Sequence, residues 1–92
     1  MSNVGAELKV HGLVQGVGYR YFFYRRACEL ELTGWVRNRP DGTVESRVEG
    51  DRGSIQALIS QLKVGPSSAH VTQVDVRWTE ATGRYTSFDV AG

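Results

Sequence analysis

The sequence predicts an α+β domain of the split βαβ type, in which an antiparallel sheet carries two helices on one face. Its 92 residues suffice for one domain, which we place at residues 1–92. Stretches of alternating polar and apolar side chains indicate strands, and two stretches with apolar side chains three and four residues apart indicate helices. In chain order these are strand, helix, strand, strand, helix, strand and a short last strand.

The first half of the chain supplies a strand, a helix and a hairpin. Residues 1–5 are expected to be a flexible N-terminus, and the alternation over residues 6–13 predicts a strand with one buried face. An apolar stripe predicts a helix from residue 22 to about residue 30. Residues 33–39 and 43–49 flank a Pro-Asp-Gly sequence, which is typical of a turn between paired strands.

The second half supplies a helix and two further strands. The strongest helical spacing of the chain covers residues 54–63, and Asp51 or Ser54 is the candidate N-cap. Alternation over residues 73–78 predicts the fourth strand, and apolar side chains at residues 88–90 indicate a short last one. The complete order is that of the ferredoxin-like fold.

The composition disfavours several functional classes. The chain has 11 Lys and Arg against 10 Asp and Glu, a net charge of +1, so no nucleic-acid partner is expected. No stretch is apolar enough to span a membrane, and residues 1–7 lack the pattern of a signal peptide, which predicts a cytoplasmic protein without a membrane partner. The single cysteine, Cys28, supports neither an internal disulfide nor a thiolate metal site. We expect a monomer that binds no metal.

Three glycines lie within residues 12–18, between the first strand and the first helix. Gly16 and Gly18 leave backbone N–H groups open to a ligand, and a helix N-terminus adds partial positive charge, so this loop is a candidate anion site. Arg20 follows at the start of the helix, where a guanidinium can bind two phosphate oxygens. The alternative is a tight turn without a ligand, in which Arg20 pairs with a surface carboxylate. The glycines match neither the Walker pattern nor the dinucleotide fingerprint.

Two segments carry specific motifs in matching order and spacing. Residues 11–20 are HGLVQGVGYR, and residues 34–44 are GWVRNRPDGTV, with Gly50 further on. They resemble the two signatures of the acylphosphatase family, Gly-x-Val-Gln-Gly-Val-x-Phe-Arg and Gly-aromatic-Val-x-Asn followed by x-x-x-Gly-x-Val and a later Gly. The resemblance extends from about residue 7 to residue 88.

The resemblance implies a ferredoxin-like enzyme that hydrolyses the carboxyl-phosphate bond of a small-molecule acyl phosphate without a metal or organic cofactor. The products are a carboxylate and inorganic phosphate, which is then also a competitive inhibitor. The resemblance further implies that Arg20 and Asn38 are catalytic, with Arg20 binding the phosphate oxygens and Asn38 orienting the attacking water. The backbone amides implied to bind the phosphoryl group are those of Gln15, Gly16, Val17, Gly18, Tyr19 and Arg20.

Three features depart from the family pattern. Tyr19 stands where Phe is common, which adds a hydroxyl that needs water or a partner. Glu31 stands where Gly is common near the helix end, and a left-handed backbone there costs a non-glycine residue roughly 1 kcal/mol. The chain ends without a basic or aromatic tail, so no contact from a tail to the glycine loop is expected.

Two other functions stay open on the sequence alone. The first concerns the substrate, because the loop recognises the phosphate and not the acyl group attached to it. The substrate in this alternative is a carbamoyl or other mixed phosphoric anhydride. The other alternative is a binding module that holds a phosphorylated ligand or RNA without turnover. The presence of both Arg20 and Asn38 argues against such a module, because a binder needs Arg20 but not Asn38.

Overall fold

The structure, a computed structural model, describes residues 3–91 and contains five strands and two helices. The elements are β1 (Asn3–Leu13), α1 (Tyr19–Glu29), β2 (Thr33–Asn38), β3 (Val44–Asp51), α2 (Arg52–Val64), β4 (His70–Glu80) and β5 (Phe88–Val90). Their order is the predicted one, and the ferredoxin-like α+β class is confirmed. Neither of these helices is long and apolar enough to cross a membrane.

The five strands form one sheet in the order β4-β1-β3-β2-β5. Three of the four pairings are antiparallel, which agrees with the predicted sheet, whereas β5 pairs parallel with β2 at one edge. The reason is topological: β4 is antiparallel to β2, and β5 reverses direction after β4. As a result β1, β2 and β5 all run the same way, and their C-terminal ends lie at the same end of the sheet.

Strand β1 and helix α1 each begin three residues earlier than the sequence predicts. Strand β1 starts at Asn3 and pairs residues 3–5 with Glu49–Asp51 of β3, so residues 3–5 belong to the sheet and not to a flexible N-terminus. Residues 1 and 2 of that predicted terminus lie outside the described residues. Helix α1 starts at Tyr19 because Gly18, in the left-handed conformation, ends the preceding loop there.

Both helices pack on one face of the sheet, and the apolar side chains of the strands face them. Helix α1 lies over β2 and β5, whereas α2 lies over β4, β3 and β1. The N-cap of α2 is Asp51, whose carboxylate accepts the N–H of Ser54 at 3.1 Å. The most buried large side chains are Tyr19, Phe23, Leu8, Ile55, Leu58, Leu62, Val10, Val14, Val36, Val44 and Val48.

The hydroxyl that Tyr19 adds has a partner within the core. Tyr19 is 1% exposed, and its hydroxyl donates a hydrogen bond of 2.8 Å to the Leu62 carbonyl in the last turn of α2. Burial raises the pKa of Tyr19, so the phenol remains a donor at neutral pH. The tyrosine therefore ties the start of α1 to the end of α2.

Glu49, on the polar face of β3, is 4% exposed because the chain between β4 and β5 folds over it. Its carboxylate accepts the N–H and hydroxyl of Thr82, the N–H of Gly83 and the guanidinium of Arg47. Burial opposes the charged form, but these hydrogen bonds outweigh it and hold the pKa of Glu49 below its usual value. This ionised carboxylate fastens the connection that leads into β5.

Helix α1 ends in a Schellman motif built on a glutamate. The N–H of Leu32 binds the Ala27 carbonyl at 2.9 Å, and the N–H of Glu31 binds the Cys28 carbonyl at 3.0 Å. This geometry places Glu31 at a φ of 58°, and it is the one non-glycine residue with positive φ among residues 3–91. The left-handed position expected at Glu31 is therefore present, with the strain that a Cβ brings to it.

Replacing Glu31 by Gly is expected to stabilise the fold. The change relieves the strain of the left-handed backbone, partly offset by the greater freedom of glycine in the unfolded chain, for a net gain of about 0.5–1 kcal/mol. Thermal unfolding followed by circular dichroism measures the shift. Glu31→Gln is the control, because it removes the charge and keeps the strain; a Gly variant no more stable than the Gln variant would contradict the assignment.

Candidate active site

The connection between β1 and α1, residues 14–18, is an open loop of backbone. Gly16 and Gly18 have φ angles of 75° and 77°, a region that side-chain-bearing residues rarely adopt. A Cβ added at either position would meet nothing within 4 Å, so the space above the loop is empty. The glycines thus leave the backbone accessible to a ligand from that side.

The loop leads into a helix start that no side chain caps. The first intrahelical hydrogen bond runs from the Phe22 N–H to the Gly18 carbonyl at 3.1 Å, and the N-cap residue Gly18 supplies no side-chain acceptor. The N–H groups of the residues between them have no partner within the helix. No acidic residue stands in this first turn. The helix start can therefore bind an anion.

Arg20 lies in this first turn, and its guanidinium is held by a neutral acceptor. Its Nη1 donates a hydrogen bond of 2.9 Å to the Ala91 carbonyl, just after β5. Arg20 forms no ion pair with any carboxylate within residues 3–91. The alternative in which Arg20 pairs with a surface carboxylate is thus not the arrangement found, and its positive charge is not neutralised there. The contact with the C-terminal segment was not expected from the sequence.

Asn38 is the last residue of β2 and faces the same space. Its Oδ1 is buried and has no hydrogen-bond partner among the described residues. The turn that follows is stiffened by Asp41, whose carboxylate accepts the hydroxyl and N–H of Thr43, and these bonds lower the pKa of Asp41 to about 2. Asn38 therefore sits on a fixed hairpin with an unsatisfied amide oxygen, a group normally paired with water or a ligand.

These residues surround one cavity of about 420 Å³, here called the loop cavity. It brings together the loop glycines, Arg20 and Asn38, which come from separate motifs. Among the described residues, its lining has one cationic side chain and no acidic one, so its electrostatics favour an anion. The sequence did not predict that the side chains of Val14, Tyr21 and Val90 would line this cavity. The lining residues are Val14, Gly16, Gly18, Tyr19, Arg20, Tyr21, Asn38 and Val90.

The Gln15 side chain is turned away from the loop cavity and joins the loop to the β2–β3 hairpin. Its Nε2 donates hydrogen bonds to the carbonyls of Arg39 at 2.7 Å and of Thr43 at 2.9 Å. Arg39 directly follows Asn38, so these bonds fix the loop against the residue beside it. The motif includes Gln15, but the segment that its side-chain amide binds is known only from the structure.

Val17 also lies outside the lining of the loop cavity. Its side chain packs against the hydrophobic core, and its carbonyl accepts the Ser68 hydroxyl at 2.9 Å. The loop is therefore fastened on both sides, by Gln15 to the hairpin and by Val17 to the chain before β4. Such fastening keeps the backbone N–H groups in place before a ligand arrives.

A second cavity, of about 410 Å³, lies on the face of the sheet opposite the helices. Its charged side chains already have partners: Glu7 pairs with Arg47 and Arg77, Arg37 with Glu45, Lys9 with Asp41, and Asp75 with His11. Within residues 3–91, no three His, Cys, Asp or Glu side chains come together as metal ligands. The loop cavity is thus the better candidate for chemistry.

The chain is similar to known proteins over nearly its whole length. The family model described as Acylphosphatase matches residues 6–90. The acylphosphatase of Thermococcus kodakarensis is 49% identical over 83 residues, which cover 90% of this chain and 91% of that protein. The acylphosphatase of Methylococcus capsulatus is 53% identical over 81 residues, 88% of each chain. The crystal structure of acylphosphatase from Bacillus subtilis has a TM-score of 0.93 at 34% identity and covers 97% of this chain and 99% of that one.

Inorganic phosphate is expected to bind in the loop cavity, with Arg20 contributing directly. Arg20→Gln removes a charge-assisted hydrogen bond and should weaken binding by about tenfold or more. Isothermal titration of the purified protein with phosphate measures the affinity. Arg77→Gln is the matched control, because Arg77 pairs with Glu7 on the opposite face of the sheet. Equal phosphate affinity in the Arg20 variant and the control would show that the anion binds elsewhere.

Proposed function

This chain belongs to the acylphosphatase family, whose members hydrolyse acyl phosphates, and we propose that the reaction takes place in the loop cavity. The groups that carry it out are the backbone of residues 15–20, Arg20 and Asn38. One observation carries the proposal. Arg20 and Asn38 lie in different motifs and on different elements, yet both line this cavity, beside a loop with open backbone.

The phosphoryl group binds at the start of α1. The N–H groups of the loop and of the first helical turn donate to its oxygens, and the Arg20 guanidinium adds two further donors and a positive charge. Arg20 is bound to the neutral Ala91 carbonyl and pairs with no carboxylate within residues 3–91, so this contact fixes the position of its charge without cancelling it. Donors already in place stabilise charge on the phosphoryl oxygens as the reaction proceeds.

Asn38 holds the attacking water. Its side-chain amide, whose Oδ1 has no partner among the described residues, hydrogen-bonds the water and directs an oxygen lone pair toward phosphorus. The water oxygen bonds to phosphorus as the bond from phosphorus to the carboxyl oxygen breaks, and the electron pair leaves with the carboxylate. Both water protons end on the phosphate product, so atoms and charge balance. A neutral amide suffices for this task because it orients the water and removes no proton.

The leaving group explains why the cavity needs no general acid. A carboxylate is weakly basic and departs without being protonated, so positioning and electrostatic stabilisation can supply the rate. The lining contains no His, Asp, Glu or Lys side chain that would donate or accept a proton. This match between lining and leaving group favours acyl phosphates, rather than phosphate esters, as substrates.

Several finer properties are part of the proposal. Inorganic phosphate, the product, competes with the substrate for the same N–H groups and guanidinium. The working unit is proposed to be a monomer, because one chain already brings the glycine loop, Arg20 and Asn38 to the same cavity. The exposed free Cys28 is typical of a reducing compartment and supports a cytoplasmic location. The activity is proposed to need no metal, since the chain's own donors bind the phosphoryl group.

Hydrolysis of benzoyl phosphate, followed by ultraviolet absorbance, is the direct test. The wild-type protein should hydrolyse it at the same rate with and without EDTA. Asn38→Ala should lower kcat by about 100-fold or more, the size of effect that losing the orientation of a reactant produces. The inhibition constant of inorganic phosphate should stay within about threefold of wild type, because the group that binds phosphate is intact.

Three results would contradict this proposal. Wild-type kcat in the Asn38 variant would remove Asn38 from the mechanism, and loss of rate in EDTA would make the reaction metal-dependent. Absence of turnover by a folded wild-type protein would point instead to a module that binds a phosphorylated ligand. A rise in the melting temperature on addition of phosphate would then support a phosphorylated ligand.

Gln15→Met tests whether the hydrogen bonds to the hairpin position Asn38. Methionine has a similar shape but no donor, so the hairpin can move relative to the loop; kcat should fall while phosphate inhibition is retained. In the Asn38→Ala background the same change should have little further effect, because the residue that it positions is already gone. Gln73→Met, on an exposed surface of β4, is the control. Equal losses in both backgrounds would assign Gln15 a role independent of Asn38.

A further inference from the structure

Two exposed apolar side chains form the rim of the loop cavity. Tyr21 is 63% exposed and Val90 is 46% exposed, and both line this cavity. Single exposed apolar residues are ordinary on a protein surface. These two differ because they come from distant parts of the chain and meet at one cavity.

The two side chains belong to the two segments that the Arg20 hydrogen bond joins. Tyr21 directly follows Arg20 in α1, and Val90 directly precedes Ala91, whose carbonyl accepts the Arg20 hydrogen bond at 2.9 Å. The contact that orients the guanidinium therefore joins the two segments that carry Tyr21 and Val90, and both side chains line the same cavity. A group attached to a phosphate held by Arg20 shares this cavity with them.

The Tyr21 ring contacts two neighbours on its own helix before any ligand binds. It stacks on the Tyr24 ring, with 6.3 Å between the centroids and 27° between the planes. The Arg25 guanidinium lies 5.8 Å from the centroid of the Tyr21 ring. Since a held side chain loses little conformational freedom on binding, the ring is a prepared apolar surface.

The size and charge of the cavity indicate what the rim accepts. Its volume of about 420 Å³ lies in the range of roughly 300–1,000 Å³ that holds small organic ligands, which leaves room beyond the phosphoryl group. Arg20 is the one charged side chain in the lining, and it is assigned to phosphate. An uncharged apolar group beside Tyr21 and Val90 buries apolar surface and leaves no charge unpaired.

We propose that Tyr21 and Val90 form an acyl subsite that selects acyl phosphates with an uncharged aromatic or bulky apolar acyl group over those with a small or anionic one. The inference rests on the proposed function, because it takes the phosphoryl group to be held by the loop and Arg20. It assigns substrate selection to two residues outside both sequence motifs. An acetyl group presents a single methyl and reaches little of the rim, whereas a benzoyl ring covers it.

Binding of phosphonates that cannot be hydrolysed tests the subsite apart from turnover. In phenacylphosphonate and 2-oxopropylphosphonate a methylene replaces the bridging oxygen of benzoyl and acetyl phosphate, and in 4-oxo-5-phosphonopentanoate the acyl group carries a carboxylate. Isothermal titration of the wild-type protein should find phenacylphosphonate bound about fivefold or more tighter than either other compound, the size expected for one aromatic contact.

Variants then assign the preference to residues. Tyr21→Ser and Val90→Ser should each reduce the affinity ratio of phenacylphosphonate to 2-oxopropylphosphonate, whereas Tyr21→Phe should keep it because the ring remains. Val64→Ser is the control, since Val64 is 78% exposed at the end of α2 and does not line the loop cavity. The ratio of kcat/KM for benzoyl and acetyl phosphate should change in parallel.

Each outcome decides the inference. Equal wild-type affinity for the phenacyl and oxopropyl compounds would overturn it, as would a preference that survives in both serine variants. Tighter binding of the carboxylate compound would also overturn it, because the rim would then select a second anion. If the phenacyl preference holds and depends on Tyr21 but no acyl phosphate is hydrolysed, the subsite stands and the proposed reaction fails.

Discussion

The two hydrogen bonds donated by the Gln15 amide hold the candidate site together. They connect the β1–α1 loop to carbonyls that lie 24 and 28 positions further along the chain, in the β2–β3 hairpin. The loop contains the donors for an anion, and the hairpin contains Asn38. Without these hydrogen bonds, the distance between the loop and Asn38 would be set only through β3, which pairs with both β1 and β2. A side-chain amide is suited to the task because its two N–H groups can satisfy two carbonyls without introducing a charge near the anion.

Electrostatics and backbone shape act together at this site. The left-handed glycines leave open space beside the loop backbone, and the uncapped start of α1 adds partial positive charge. Arg20 contributes a full charge, which a neutral carbonyl holds in place. No acidic side chain of residues 3–91 lines this space. In the proposed site the loop backbone and Arg20 therefore act together on the anion, and the glycines of the motif keep that backbone accessible.

The fold was predictable because each element has its own local signal. The alternation that includes Leu8 and Val10, and the helical spacing of Ile55 and Leu58, arise because one face of each element is buried. Such a pattern is visible without knowing which other element covers that face. The parallel pairing of β5 and the partner of the Gln15 amide depend on where distant segments meet, and no local pattern encodes that. A backbone carbonyl such as that of Ala91 carries no side-chain signal at all, so its contact with Arg20 emerges only from the structure.

The hydrogen bond between Arg20 and Ala91 has a consequence for the order in which a working protein appears. The two residues are 71 positions apart, so during synthesis the arginine leaves the ribosome long before its acceptor does. A nascent chain that ends before β5 contains the glycine loop, the helix start and Asn38, but the guanidinium lacks the contact that orients it. The orientation of Arg20 is therefore acquired late, at the docking of the last strand, and marks completion of the whole domain rather than of its N-terminal half.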